Sequence, residues 1–522
     1  MHFRRGGDPC VTGRGLEREC SAFGRTVGAM IRLDVLGIAA RGSGGVAESS
    51  RARVGEAALS RLEARLRENV HGEVWFDRHH RQLYATDASL YQVEALGVVV
   101  PASVGDAVRA ARACFEAGVA VLPRGGGTSL AGQCTNEAVV IDLSARCTAI
   151  VEVDNSGRRC VVEPGITVDD LNDRLASTGL FFAPDPATSR QANVGGCIGN
   201  NAAGSRSILY GRTSESLVAL DVLLASGHRV RLARGEASRD PVVRALTGRV
   251  LEMVLPIGPE IRERFPRTVR RNAGYALDMV LDQALGGSGN DATALPVNVR
   301  EMSITEEMLD RVNLAHLVCG SEGTLALTLG AELKLHPRPG AKGLAVVGFS
   351  SLDSAIDSVV AILGTSPSAV ELLDDTVIDL ARANVECSRY VEVCPSPREG
   401  ALRAVLYVEY FASSEGEIRE RFAALRGVIA RADATAVIAE HTDAGAMLGA
   451  WKLRKAGEPL LHGIPGNRKP ITFVEDNAVP VEQLSRFVRE FRAIVERHGT
   501  HAAFYAHASV GVLHVRPLID LH

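Results

Sequence analysis

The chain has 522 residues, 46% of them apolar and 23% charged, with a formal net charge of −4. That length leaves room for two or three domains, each with its own core, and the composition is that of an ordinary globular protein. The slightly acidic balance excludes the basic field that nucleic acid or an anionic membrane requires, and no apolar run approaches the roughly 18–20 residues that cross a bilayer.

Ten cysteines contain no C-x-x-C pair, and the N-terminus does not resemble a secretory signal. A cytoplasmic protein with free thiols is therefore expected, without a cysteine set for an iron–sulfur cluster. Residues 1–55 are rich in Gly, Arg and Ser and are expected to be a disordered extension, with Met30 as an internal alternative start. Asp8, Glu17, Glu19 and Asp34 make the segment too acidic for a transit peptide.

Order is expected to begin with a helix over Glu56–Asn69, where Ala58, Leu59, Leu62 and Leu66 recur at helical spacing. A strand over 96–101, a helix over 103–117 capped by Ser103 and stopped by Gly118, and a strand over 119–122 then form a βαβ-like opening. It delivers the chain into Pro123-Arg-Gly-Gly-Gly-Thr-Ser-Leu-Ala-Gly-Gln133. Gly125, Gly126 and Gly127 have no Cβ, so their N–H groups can approach a phosphate closely, as in a pyrophosphate cradle. The spacing is neither the Rossmann fingerprint nor a Walker loop, and a glycine turn between strands would look the same at this point.

Strands are expected at 138–142, 149–153 and 160–163, and a helix capped by Thr167 and stopped by Gly179. Pro184-Asp-Pro-Ala-Thr188 follows, then a second glycine segment, Asn193-Val-Gly-Gly-Cys-Ile-Gly-Asn-Asn-Ala-Ala-Gly204. Residues 233–315 have the character of helical insertion material with a loop at 286–290. Cys319-Gly-Ser-Glu-Gly-Thr324 is a third glycine turn feeding a strand. Beyond Pro337 and Pro339 the rhythm changes: strand 344–349, helix Leu352–Leu363, strand 405–410, helix 415–430 and strand 436–440 alternate as in a ferredoxin-type sheet.

The three glycine segments, with Glu163-Pro164-Gly165, together resemble the flavin domain of the vanillyl-alcohol-oxidase or PCMH type. The resemblance implies an α+β protein: a two-subdomain PCMH-type FAD-binding domain over 56–338, then a ferredoxin-like antiparallel-sheet substrate or cap domain over 341–522. It implies that FAD lies against Pro123, Arg124, Gly125, Gly126, Gly127, Thr128, Ser129 and Gln133 of the first segment. Pro184 and Thr188, then Gly195, Gly196, Asn200, Asn201 and Gly204, and finally Glu322 and Gly323 would complete its site. Relatives that bind flavin covalently carry a histidine where this chain has Thr128, so non-covalent FAD is expected.

Arg271-Asn-Ala-Gly-Tyr275 and Tyr505-Ala-His-Ala-Ser-Val-Gly-Val-Leu-His514 resemble the D-2-hydroxyacid dehydrogenase branch, and within it the FAD half of large FAD/iron–sulfur proteins. By that resemblance Arg454 and Lys469 are expected to hold a substrate carboxylate. His507 and His514 are expected to act in catalysis and to bind Zn²⁺ or another divalent ion. The branch's downstream Glu-His-Gly motif is not reached, so the cap domain is expected to be truncated. Glu475 and Asp476 are expected to shape the pocket and its charge.

The function so implied is oxidation of a D-2-hydroxyacid, of the D-2-hydroxyglutarate or D-lactate class, with electrons passed to an iron–sulfur or other acceptor protein. Two alternatives remain: an incomplete flavin-binding subunit of a split oxidoreductase, and a flavin enzyme of the alkyl-dihydroxyacetone-phosphate synthase kind.

Overall fold

The computed structural model describes residues 54–287 and 299–521. The extension expected over 1–55 lies outside them except for its last two residues, as does most of the loop expected at 286–290.

The first four strands are β1 (Glu73–Trp75), β2 (Gly97–Val100), β3 (Val121–Arg124) and β4 (Val139–Asp142). They form a sheet in the order β1-β2-β4-β3, with β2, β4 and β3 parallel and β1 antiparallel at one edge. Helix Val104–Glu116 makes the crossover. It starts where Ser103 Oγ accepts the Asp106 N–H at 3.2 Å, as the cap signal required. Its small residues Ala107, Ala110 and Ala111 are fully buried, which lets helix Glu56–Asn69 bring Leu59, Leu62 and Leu66 into the same core.

Next come β5 (Ile150–Asp154), β6 (Arg159–Val162), β7 (Leu180–Phe181), β8 (Leu217–Leu224), β9 (Arg229–Ala233), β10 (Ala326–Lys334) and β11 (His336–Pro337). Five of them build an antiparallel sheet, β5-β6-β10-β8-β9, and β7 pairs with β11. The helical insertion material expected over 233–315 contains helices Pro241–Val254, Gly258–Arg264, Leu277–Ala284 and Glu306–Arg311.

The last strands are β12 (Ala341–Phe349), β13 (Ala369–Asp374), β14 (Ala404–Ala412), β15 (Val437–His441), β16 (Lys469–Pro470), β17 (Val474–Ala478), β18 (Ala502–His507) and β19 (Val512–Ile519). The order is β15-β12-β14-β13-β18-β19-β16, antiparallel throughout, with β17 also paired to β19. Its first four strands, with helices Leu352–Leu363 and Glu415–Ala432, make a β-α-β-β-α-β unit of ferredoxin type, three of whose strands were expected from the sequence. Val347, Phe349, Leu406 and Val408 pack there against Ile356, Val359, Phe422 and Leu425.

Two features of this sheet go beyond expectation. β13 was not anticipated, because its sequence Ala-Val-Glu-Leu-Leu-Asp is buried at every position and shows no alternation. β18 and β19 extend the sheet past the ferredoxin unit through pairing with β13. Among the described residues no helix is long and apolar enough to cross a membrane.

Candidate functional site

The three glycine segments converge. Gly320 N–H donates to Ile198 O and Glu322 N–H to Gly199 O, each at 2.8 Å, which ties the third segment to the second. A Cβ on Gly125 would stand 2.8 Å from Asn193 Oδ1, so the first segment also lies against the second. Gly127 has φ +63°, a conformation natural to glycine. Arg124 does not project from this loop: it donates to Cys134 O at 2.7 Å and Thr86 O at 2.9 Å, and so braces the loop from behind.

What lines this cradle is suited to a dinucleotide. Asn193 precedes helix Val194–Asn200 but makes no side-chain cap; it donates to Gly165 O and leaves its buried Oδ1 unpartnered. Gln133 Oε1, Asn272 Oδ1 and Ser321 Oγ are likewise buried without a partner. Orphaned acceptors of this kind are costly unless a ligand supplies donors, and a flavin dinucleotide carries N–H and hydroxyl donors along its length. A side chain at Gly196 would meet open space. Gly204 allows the Asp185 backbone to close against it, placing the 184–188 loop at the same mouth. Asn201 differs from expectation: it is buried, has φ +50°, and spends Oδ1 on Ser214 N–H at 3.0 Å, so its side chain serves the fold. Asn200 is exposed, and Pro123 lies against Gly323.

The second cluster is built by strand register in the cap domain. Glu371 on β13 is the direct cross-strand partner of His507 on β18, and Tyr505 of His514 on β19. Glu371 is fully buried, lies 2.8 Å from His507 Nδ1, and accepts Arg454 Nε at 2.9 Å. Because a carboxylate only accepts, Nδ1 carries the proton and Nε2 keeps its lone pair. Burial pushes His507 down to about 4 despite Glu371, so the imidazole is neutral at physiological pH. Burial alone would raise Glu371, but His507 and Arg454 outweigh it and hold the carboxylate below its usual range.

Between Val474 and Asn477 the β17–β19 ladder is irregular, and Asp476 takes φ +47°. Such a bulge re-aims side chains, and here it turns Glu475 and Asp476 onto His514, whose Nδ1 stands 2.5 Å and 3.5 Å from them. These three offer ligand atoms within 4.8 Å of one another. One imidazole and two carboxylates are a suitable donor set for Zn²⁺ or a similar divalent ion. His507 is not in this set; its ring meets His514 edge-on at 5.0 Å.

Arg516, fully buried, donates to Glu458 at 2.9 Å and to the Tyr505 hydroxyl at 2.6 Å, and also pairs with Glu475. Lys469 is placed apart: it is exposed and gives its ammonium to Ile464 O at 2.6 Å. Arg454, expected to hold a substrate carboxylate, is buried and paired with Glu371 at 2.7 Å.

Sequence reasoning missed Glu371, Glu458, Arg516 and Arg270. A signal was available for Glu371 and Arg516, because each is a lone charge inside an apolar strand run, which is costly unless paired. Glu458 and Arg270 gave no such signal.

Two family models match the chain: an FAD binding domain over residues 95–233, and the C-terminal domain of FAD linked oxidases over residues 338–522. The chain thus carries an FAD binding domain followed by an FAD linked oxidase C-terminal domain. D-2-hydroxyglutarate dehydrogenase of Pantoea ananatis is 30% identical over 488 residues, covering 89% of this chain and 44% of that protein. D-lactate dehydrogenase of Archaeoglobus fulgidus is 24% identical, covering 81% and 75%. The chain thus spans less than half the length of the first relative. Among solved structures, p-cresol methylhydroxylase superposes with a TM-score of 0.58 at 13% identity, covering 89% of this chain and 83% of that one. This is the fold expected from the glycine segments.

Proposed function

We propose that this protein oxidises a D-2-hydroxyacid to the 2-oxoacid, with the D-2-hydroxyglutarate or D-lactate class as substrate and a separate acceptor protein taking the electrons. Bound FAD would supply the two-electron acceptor for the Cα hydrogen. The observation that carries the assignment is the neutral His507, locked by Glu371, beside the His514, Glu475 and Asp476 donor set.

Removing hydride from an alcohol carbon requires the hydroxyl proton to leave as well. His507 has the means: Nδ1–H is held by Glu371, and Nε2 takes the proton from the substrate oxygen. The buried carboxylate then stabilises the imidazolium that forms, as an orienting acid does for any histidine base. His514, Glu475 and Asp476 would hold a divalent ion, whose charge lowers the cost of the developing alkoxide. Arg454 keeps Glu371 ionised and in place.

The test is turnover with an artificial dye acceptor on matched D- and L-2-hydroxyacids. D-selective dye reduction that requires the carboxylate supports the assignment. Equal activity on simple alcohols, or none on any 2-hydroxyacid with metal supplied, contradicts it.

A further inference from the structure

We propose that Arg270, on the FAD-domain side, is the cation that receives the substrate carboxylate; this rests on the 2-hydroxyacid assignment above. A buried site for an anion needs a guanidinium whose charge is not already spent. Arg454 has Glu371 at 2.7 Å, and Arg516 is enclosed by Glu458 and Glu475. Arg270 is different. It is 7% exposed, its Nη1 is buried with no partner, and its one carboxylate contact, to Asp476, is long at 3.5 Å.

The local chain explains why Arg270 reaches across. Its neighbour Arg271 folds back to pair with Asp278 and donates to Pro266 O at 3.2 Å, while Thr268 Oγ1 fixes the Arg270 carbonyl at 3.1 Å. Arg270 therefore points from the 265–276 segment toward Asp476 and His514. Asp476 keeps 46% of its side chain accessible, so the acid that Arg270 faces is reached by solvent.

Charge balance points the same way. Setting the imidazoles aside, the cluster has three guanidinium groups, Arg270, Arg454 and Arg516, against four carboxylates, Glu371, Glu458, Glu475 and Asp476. One negative charge is in excess. A divalent ion on Glu475, Asp476 and His514 reverses it to one positive charge, which a single substrate carboxylate neutralises. The same ion draws on Asp476, the only acid within reach of Arg270 among the described residues, and frees the guanidinium for the substrate.

The experiment is calorimetric titration of the oxidised holoprotein, with Zn²⁺ supplied, by pyruvate and 2-oxoglutarate and by the neutral probe pyruvamide. Losing charge-assisted hydrogen bonds should weaken both oxoacids roughly 10- to 100-fold in Arg270→Gln. Arg270→Lys, which keeps the charge but not the fork, should fall between the variant and the wild type, and carries the test if the glutamine variant does not fold. Pyruvamide binding should not change in either. Wild-type affinity for the oxoacids in both variants, or equal loss for the amide, overturns the assignment. A wild type whose flavin is reduced by a D-acid with the same half-saturation as Arg270→Gln sinks Arg270 alone. A wild type that neither binds an oxoacid nor reacts with any hydroxyacid sinks the proposed function and this assignment together.

Discussion

Glu371 and His507 face each other across adjacent strands, with the buried carboxylate 2.8 Å from imidazole Nδ1. The same carboxylate anchors Arg454, so one side chain sets both the tautomer of the histidine and the charge balance of the arginine.

Glu371→Gln should therefore damage two things at once. A buried Arg454 without its counter-ion costs about 3–5 kcal/mol of stability, which a drop in thermal midpoint will show. In the variant that remains folded, kcat should fall about 100-fold, or ~2.7 kcal/mol in barrier, while flavin content stays near that of the wild type. A variant with unchanged kcat would remove Glu371 from the mechanism.

Gly126→Ala tests the cradle. The added methyl would collide with the Gln191 carbonyl, a backbone atom that cannot swing away. The expected result is protein that purifies with well under half the flavin of the wild type. Gly248→Ala, where a Cβ meets nothing within 4 Å, is the control and should keep its flavin.

How much of this was legible in the chain depended on how local each signal is. Ser103 and Thr167 announced their helices because a cap is a contact three residues long, and the structure has both. The glycine segments were visible because close backbone approach needs a missing Cβ wherever it occurs. Glu371 was missed along with its strand: β13 is buried on both faces, so it lacks the alternation that marks a half-exposed strand. The resemblance points to Arg454 as a substrate cation, but its neutralisation by Glu371 joins residues 83 apart in sequence. Glu475 and Asp476 were seen as pocket-shaping acids; their turn toward His514 comes from the β17 irregularity, which no sequence pattern announced.

Metal content separates the two histidines. His514→Ala should lose a divalent ion that elemental analysis detects in the wild type, because it removes the only imidazole of the His514, Glu475 and Asp476 set. His507→Asn should retain most of it, since His507 is engaged with Glu371. Equal metal loss in both would place His507 among the ligands.

Asp374 gives the cap domain a pH dependence of its own. Burial raises it from 3.8 to about 7, although it accepts Phe504 N–H at 2.6 Å and Val377 N–H at 3.2 Å. A raised value means that the folded chain holds this proton more tightly than the unfolded chain does. Its contribution is complete below about pH 4 and is lost as pH rises through 7. Asp374→Asn, which keeps an acceptor but does not titrate, should flatten the fall in thermal midpoint between pH 4 and 7. An unchanged slope would show that Asp374 does not titrate in that window.

The most direct measurement is the visible spectrum of the purified protein under anaerobic conditions, before and after D-2-hydroxyglutarate or D-lactate is added with a divalent metal present. The account predicts a flavin band that bleaches with a D-acid and not with its L-enantiomer, with His507→Asn slowing the bleaching. A flavin band that every D-2-hydroxyacid leaves intact would contradict it.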